Sequence, residues 1–310
     1  MASYCYPDLP RSGLGNLLLV WARAAVFGHI NHLPMLGPRW GMIRLGPLFR
    51  AESRRRLYYG YFKGSGIVGS LKRSAVLRSH QRIVDPPIGP LSRQDMAASN
   101  RVYVFRKSPH WADYFDGIRE HRDFVRDALQ EMLAARHRQQ LERASPPVVG
   151  VHVRRGDFRE LRPGEDFTQT GGVRAPLAYF QYVMNMIRKI AGATLPVTLF
   201  SDGDDSELRE LLRMPDVARS RNHSDIVDLL LLARSQIIVS SPGSTFSYWS
   251  GFLSDAPVIH ERSHVHACTR PAAVNQSVFE GGVSCSDQRW PAFLEDNIRT
   301  TARLMSGWPS

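Results

Sequence analysis

Apolar positions in the second half of the chain fall into short β-branched runs separated by stretches of helical period. Residues 148–153, 195–200, 237–240 and 256–260 read as strands. Between them, 176–191 reads as a helix with Pro176 in its first turn, and 204–212 and 245–253 read as further helices. Ser224 is placed to cap a helix over 225–234. Such alternation predicts an α/β fold with a parallel sheet and right-handed crossovers, whose ligands bind beyond the carboxyl ends of the strands. The first half is less regular. Residues 17–27 form an apolar helix opened by Ser12-Gly13-Leu14-Gly15-Asn16, and 33–47 read as loops and short strands. Residues 117–142 read as one amphipathic helix, with Ile118, Phe124, Val125, Leu129, Met132 and Leu133 along one face. Ser145-Pro146-Pro147 marks a boundary, giving domains 1–145 and 146–310.

With 43 % hydrophobic and 22 % charged residues in 310, the composition excludes a disordered, fibrous or disulfide-framed chain. Three scattered cysteines (Cys5, Cys268, Cys285) form no CxxC pair and fit a reducing compartment. The early apolar run contains Asn16 and Arg23, and nothing before it resembles a signal peptide, so no membrane span or export is expected. Charge changes the picture more. The net charge is +11, and 36 of the 40 basic residues are arginine. Residues 1–145 carry 23 bases against 11 acids, while the remainder is nearly balanced. A basic half suits nucleic acid, an anionic membrane face or an anionic substrate. No RNP aromatic signature, helix-turn-helix or zinc finger accompanies it, so nucleic acid is set aside. The expected location is cytoplasmic, peripheral at the inner membrane face.

The strand ends carry the candidate chemistry. After the first strand of the second half comes His152-Val153-Arg154-Arg155-Gly156-Asp157. Arginine presents a planar fork that holds phosphate oxygens with paired hydrogen bonds. After the strand at 237–240 comes Ser241-Pro242-Gly243-Ser244-Thr245-Phe246-Ser247, a hydroxyl-rich turn opening a helix, whose N–H groups and dipole favour an anion. Arginines at one strand end and such a turn at another converge on a nucleotide diphosphate, with cationic side chains in place of a metal.

The ordered set His152-x-Arg154-Arg155-x-Asp157, then Asp228 through Ser235, then Ser244-Thr245-Phe246-Ser247, resembles the α-1,2/α-1,6 and protein-O-fucosyltransferase superfamily. Gly13-Leu14-Gly15-Asn16 resembles its α-1,2 branch, glycosyltransferase family 11. The resemblance implies a GT-B fold, two Rossmann-like domains facing a cleft, with GDP-fucose held by the C-terminal one. It implies an inverting, metal-independent fucosyltransferase that uses GDP-fucose as donor and requires no cofactor. The acceptor would be a glycan or lipid-linked oligosaccharide hydroxyl.

In that light Arg154 would grip the β-phosphate and stabilise the leaving GDP. Arg155 would support the loop or a second phosphate contact. His152 and Asp228 would flank guanine, Ser244, Thr245, Phe246 and Ser247 would cradle the diphosphate, and Gly13, Gly15 and Asn16 would line the acceptor side. Inversion needs a base near the acceptor hydroxyl. Asp157, Glu160, Glu165 and Asp166 share the loop after the arginines, and Asp157 is preferred by position, though it would also serve to hold Arg155.

Alternatives remain open on the residues alone. They are transfer of another GDP-6-deoxyhexose, a non-catalytic nucleotide or glycan binder, and a metal-dependent transferase using Asp202-x-Asp204. Asp204 and Asp205 equally suit the first turn of the next helix. His260, His264, His266 and Cys268 have zinc-compatible types at irregular spacing. Arg155-Gly156-Asp157 spells an integrin-binding tripeptide but follows a predicted buried strand. No metal is expected.

Overall fold

The computed structural model describes residues 2–41, 58–63, 69–265 and 267–306. The chain divides into two compact units, the first ending at Arg138 and the second running on from Gln139.

The first unit contains β1 (Tyr4–Pro7), α1 (Leu14–Ile30), α2 (Ser70–Ser79), β2 (Gln81–Val84), α3 (Arg93–Ala97), β3 (Arg101–Phe105) and α4 (Arg122–Met132), and α5 (Ala135–Arg143) carries the chain across the division. Its sheet is parallel, in the order β1-β3-β2. The apolar helix is real and longer than expected, because Leu14, Gly15 and Gly28 also pack inward. It ends where Asn31 Nδ2 donates to the carbonyls of Phe27 (2.9 Å) and Gly89 (3.0 Å). Among the described residues, no helix is long and apolar enough to cross a membrane.

The single helix expected over 117–142 is broken. Gly117 takes a left-handed φ of +72°, a 3-10 turn follows over Arg119–His121, and Leu133 adopts extended backbone between α4 and α5. Leu133 bridges Phe62, Lys63 N–H donates to the Met132 carbonyl (2.7 Å), and Ala134 N–H donates to Tyr61 (2.9 Å). A distant segment thus takes over hydrogen bonds that the helix would have made. The expected loops and strands at 33–47 contain only an isolated bridge, Cys5 to Met35, within the described part, and 42–47 lie outside it.

The second unit contains β4 (Val149–Val153), α6 (Leu177–Ala191), β5 (Val197–Ser201), α7 (Arg209–Leu212), β6 (Val217–Arg219), α8 (Asp225–Ala233), β7 (Ile237–Val239), α9 (Thr245–Leu253), β8 (Val258–Glu261), α10 (Ala272–Asn275), β9 (Glu280–Val283) and α11 (Ala292–Ser306). All six strands are parallel, in the order β6-β5-β4-β7-β8-β9. The order reverses between β4 and β7, which is the doubly wound arrangement with its crevice at that point.

Both faces of β4 are covered. Val149, Val151 and Val153 join the core formed with Tyr179, Phe180, Val183 and Ile187 of α6 and with Leu294 and Ile298 of α11. The alternate residues point the other way. There Gly150 lets α8 approach so closely that a Cβ would lie 2.8 Å from Leu232 Cδ1 and 2.9 Å from Ser235 Cβ. The helix expected over 204–212 shrinks to α7. Asp204 accepts from Ser206 Oγ (2.6 Å) and Glu207 N–H (2.9 Å), and Glu207 accepts from Asp204 N–H (2.8 Å), so local bonds hold a turn instead.

Candidate functional site at the strand-order reversal

The residues following β4, β5 and β7 interlock. Arg154 N–H donates to Ser241 Oγ (3.0 Å), and Ser241 N–H donates to Ser247 Oγ (3.0 Å). Ser247 Oγ lies 2.6 Å from His152 Nδ1, and the imidazole stacks on Phe246 at 4.8 Å and 28°. One circuit therefore joins the end of β4, the end of β7 and the first turn of α9. His152 is fully buried, and desolvation pushes its imidazole down to about 3, with Asp202 opposing and Arg154 adding to that shift. It is neutral at ordinary pH. Ser247 Oγ thus accepts from Ser241 N–H and shares a hydrogen bond with the neutral imidazole at Nδ1.

Arg154 projects from this circuit between two carboxylates. Nη2 donates to Asp157 Oδ1 (2.5 Å), and Nη1 pairs with Asp202 Oδ2 at 2.7 Å. Its guanidinium also lies over the Phe158 ring, 5.6 Å from the centroid. Arg155 takes a different course. It is buried, its Nη1 donates to the Ala175 carbonyl (3.0 Å), and its N–H donates to Asp202 Oδ1 (2.8 Å). Burial, with Arg174, lowers the pKa of its guanidinium, and Glu207 and Asp202 oppose that effect. The structure thus gives the adjacent arginines unlike environments, one at the crevice and one inside.

The turn after β7 is tight. Gly243 holds φ +68°, a left-handed conformation that costs other residues strain, and Ser244 begins α9 without capping it through its side chain. Helix starts leave their first N–H groups without intrahelical partners, and α9 starts directly after this turn.

Asp228 lies apart from this circuit, in the first turn of α8. It is buried, accepts from Ser220 Oγ (2.6 Å) and stands 3.5 Å from His223 Nδ1. Gly13, Gly15 and Asn16 lie in the other unit, at the start of α1. Gly13 is its N-cap, and Leu14 N–H donates to the Tyr58 hydroxyl (3.0 Å). Asn16 Oδ1 is buried with no hydrogen-bond partner. Of the carboxylates on the loop, Glu165 is held by Arg159 in a two-point ion pair and is lowered to about 2 by that contact and by Arg162 N–H. Asp166 accepts from Thr168 N–H (2.9 Å), and Glu160 stands 3.5 Å from Arg174. Asp157 is the one that touches Arg154.

The sequence offers Asp202 only as a metal ligand. Its partners are instead the two arginines, and Asp204 caps its own turn. Only the sheet order, which sets β5 beside β4, brings Asp202 to them. Of the zinc-compatible group, His266 lies outside the described residues. His260 contacts Ser240 and Glu280, and His264 Nε2 contacts the Phe167 carbonyl. Among the described residues no group of three or more His, Cys, Asp or Glu side chains could hold a metal ion.

The family model of glycosyl transferase family 11 matches residues 93–262, more than half of the chain and the whole of the circuit above. No curated protein sequence matches. Solved structures are similar at low identity. NodZ α-1,6-fucosyltransferase co-crystallised with GDP is 15 % identical, with 84 % of this chain and 96 % of that one covered and a TM-score of 0.50. Fucosyltransferase NodZ from Bradyrhizobium is 16 % identical, with 82 % and 95 % covered and a TM-score of 0.49. POFUT1 in complex with GDP-fucose is 13 % identical, with 84 % and 97 % covered and a TM-score of 0.45. The first of these similarities bears on the fold, which is the GT-B fold of parallel-sheet α/β units expected from the sequence.

Proposed function

The chain belongs to glycosyl transferase family 11, and from that premise we propose that it transfers fucose from GDP-fucose to a glycan hydroxyl, in α-1,2 linkage, with inversion and without a metal. The observation that carries this reading is Arg154, a guanidinium at the strand-order reversal beside a helix start. The reading is further supported by NodZ, described as co-crystallised with GDP, and POFUT1, described as in complex with GDP-fucose.

The β-phosphate of GDP replaces Asp157 on Nη2, while Asp202 keeps Nη1 in place. Arg154 then meets the negative charge that grows on the departing diphosphate, the point at which a fixed cation lowers the barrier most. Asp157, displaced from Nη2, is the carboxylate that takes the acceptor's hydroxyl proton as the anomeric carbon is attacked. His152, neutral and stacked on Phe246, flanks the nucleotide. Arg155 holds the loop from inside.

Calorimetric titration of GDP and UDP into the wild type and Arg154→Ala, with EDTA present, tests the donor site. The expected result is metal-free binding that prefers GDP and collapses in the variant. Binding that requires a divalent ion, or no preference for guanine, would overturn it. Product linkage from a GDP-fucose transfer assay then decides α-1,2. The basic first half supports an acceptor presented at an anionic membrane face. Co-sedimentation with vesicles that rises with anionic lipid and falls with salt is the expected outcome, and indifference to both would remove that part.

A further inference from the structure

The turn over 240–247 rests on a buried polar assembly. His260, in β8 beside β7, is buried, and its Nδ1 lies 2.8 Å from the Oγ of Ser240, the residue that opens the turn. The same imidazole meets the Tyr248 ring edge-on, at 5.5 Å and 69°. The Tyr248 hydroxyl accepts from Gly243 N–H (3.0 Å) and donates to the His264 carbonyl (3.1 Å). One side chain thus touches the beginning of the turn directly and its left-handed point through Tyr248.

Behind it, Nε2 stands 3.6 Å from Glu280 Oε1. That carboxylate also accepts from Thr269 Oγ1 (2.6 Å) and Asn275 Nδ2 (2.9 Å) and lies 3.4 Å from Arg270 Nε. Burial works to raise the pKa of Glu280, but the His260 and Thr269 hydrogen bonds and the Arg270 charge hold it well below the ordinary carboxylate range. An ionised carboxylate only accepts. His260 therefore stands with Nε2 toward this carboxylate and Nδ1 at the Ser240 hydroxyl. Buried ionic groups of this kind add little net stability compared with apolar packing, but they fix geometry where every member is satisfied.

We infer that His260 and Tyr248 are positioning residues for donor binding, setting the turn at 240–247 so that the first N–H groups of α9 meet the diphosphate. This rests on reading that turn as the GDP cradle. The residues singled out in sequence as zinc-compatible, His260 and His264, are then the underside of that cradle.

The test is GDP titration, together with donor KM and kcat, on Tyr248→Phe, Ser240→Ala, His260→Phe and His260→Asn, with Arg154→Ala alongside. Tyr248→Phe and Ser240→Ala each delete one hydrogen bond and are expected to weaken GDP binding about 3- to 10-fold. Donor KM rises in step, while kcat at saturating donor stays within about twofold. His260→Asn, whose Oδ1 can accept from Ser240, retains more affinity than His260→Phe. Should His260→Phe fail to fold, the two hydroxyl deletions still decide the matter. Unchanged GDP affinity in both, with only the melting temperature lowered, would make the assembly purely structural and overturn the inference. GDP affinity retained in Arg154→Ala would overturn the reading beneath it, and that result is independent of the other variants.

Discussion

The two parallel sheets of this chain manage charge in opposite ways. In the second unit, β4 is covered on both faces, and its charged groups are gathered at the carboxyl ends, where Arg154, Asp157 and Asp202 meet. In the first unit, β2 is an edge strand with Gln81, Arg82 and Val84 exposed, and Tyr59, Leu71 and Met96 are exposed nearby in sequence. A strand buried on both sides leaves polar side chains only its ends, so chemistry collects there. A half-open sheet spreads them over a surface. The contrast makes the second unit intolerant of change at named points and the first tolerant.

The largest expected effect is on chemistry. Arg154→Ala should lower kcat/KM about 100-fold or more, as loss of a charge-stabilising donor does, while thermal unfolding moves little. Arg155→Ala, made beside it, should show the reverse balance, with the unfolding midpoint falling further than turnover. Equal behaviour of the two in paired kinetic and melting experiments would erase the distinction drawn between them.

Next comes packing. Gly150→Ala places a methyl group against Leu232 and Ser235 and should cost about 1–3 kcal/mol in denaturant unfolding. A near-neutral result would mean that α8 can move away from β4.

The third effect is on pH dependence. The folded-state value for His152, about 3, lies below the 6.5 of an unfolded chain. Between these values the unfolded chain binds a proton that the native chain refuses, so His152's contribution is fully present above 6.5 and is lost on acidification toward 3. The slope is at most about 1.4 kcal/mol per pH unit. Carboxylates held low in the fold, such as Glu165, contribute a slope of the same sign only as pH approaches their ordinary value of 4.5, so His152→Asn should flatten unfolding free energy against pH between about 6.5 and 5.5. An unchanged slope would refute the assignment of a neutral imidazole.

The smallest effect belongs to the first unit. Gly13 has φ −62°, and a Cβ there would meet nothing within 4 Å, so Gly13→Ala should change stability by less than about 0.5 kcal/mol. A large loss of activity with stability intact would show instead that the bare backbone at Gly13 serves a ligand.

The strands of the second unit that were legible are the apolar ones. β4 and β7 are valine and isoleucine runs because both faces are covered, and their boundaries differ from the sequence reading by a residue or so. The strand β9, Glu-Gly-Gly-Val, carries no β-branched run, and β2 is mostly exposed, so neither had a signal to read. The break at Leu133 was invisible because leucine and alanine are good helix formers, and a backbone segment from Tyr61 to Lys63 overrides them.

By itself the sequence determined local matters: which runs are apolar enough to be strands, which residues stand after them, and that arginines and a hydroxyl-rich helix start are the chemistry available. These follow from side-chain type and short-range period. Tertiary structure alone decided which strand end adjoins which. It set β5 and β7 on either side of β4 and β8 beside β7, and so made Asp202 and Ser241 partners of Arg154, and His260 the support of Ser240. Those pairs lie 20 to 87 positions apart, and nothing local couples them. Parallel neighbours are joined by long crossovers, so their adjacency is settled by how helices pack on the sheet rather than by any residue near the site.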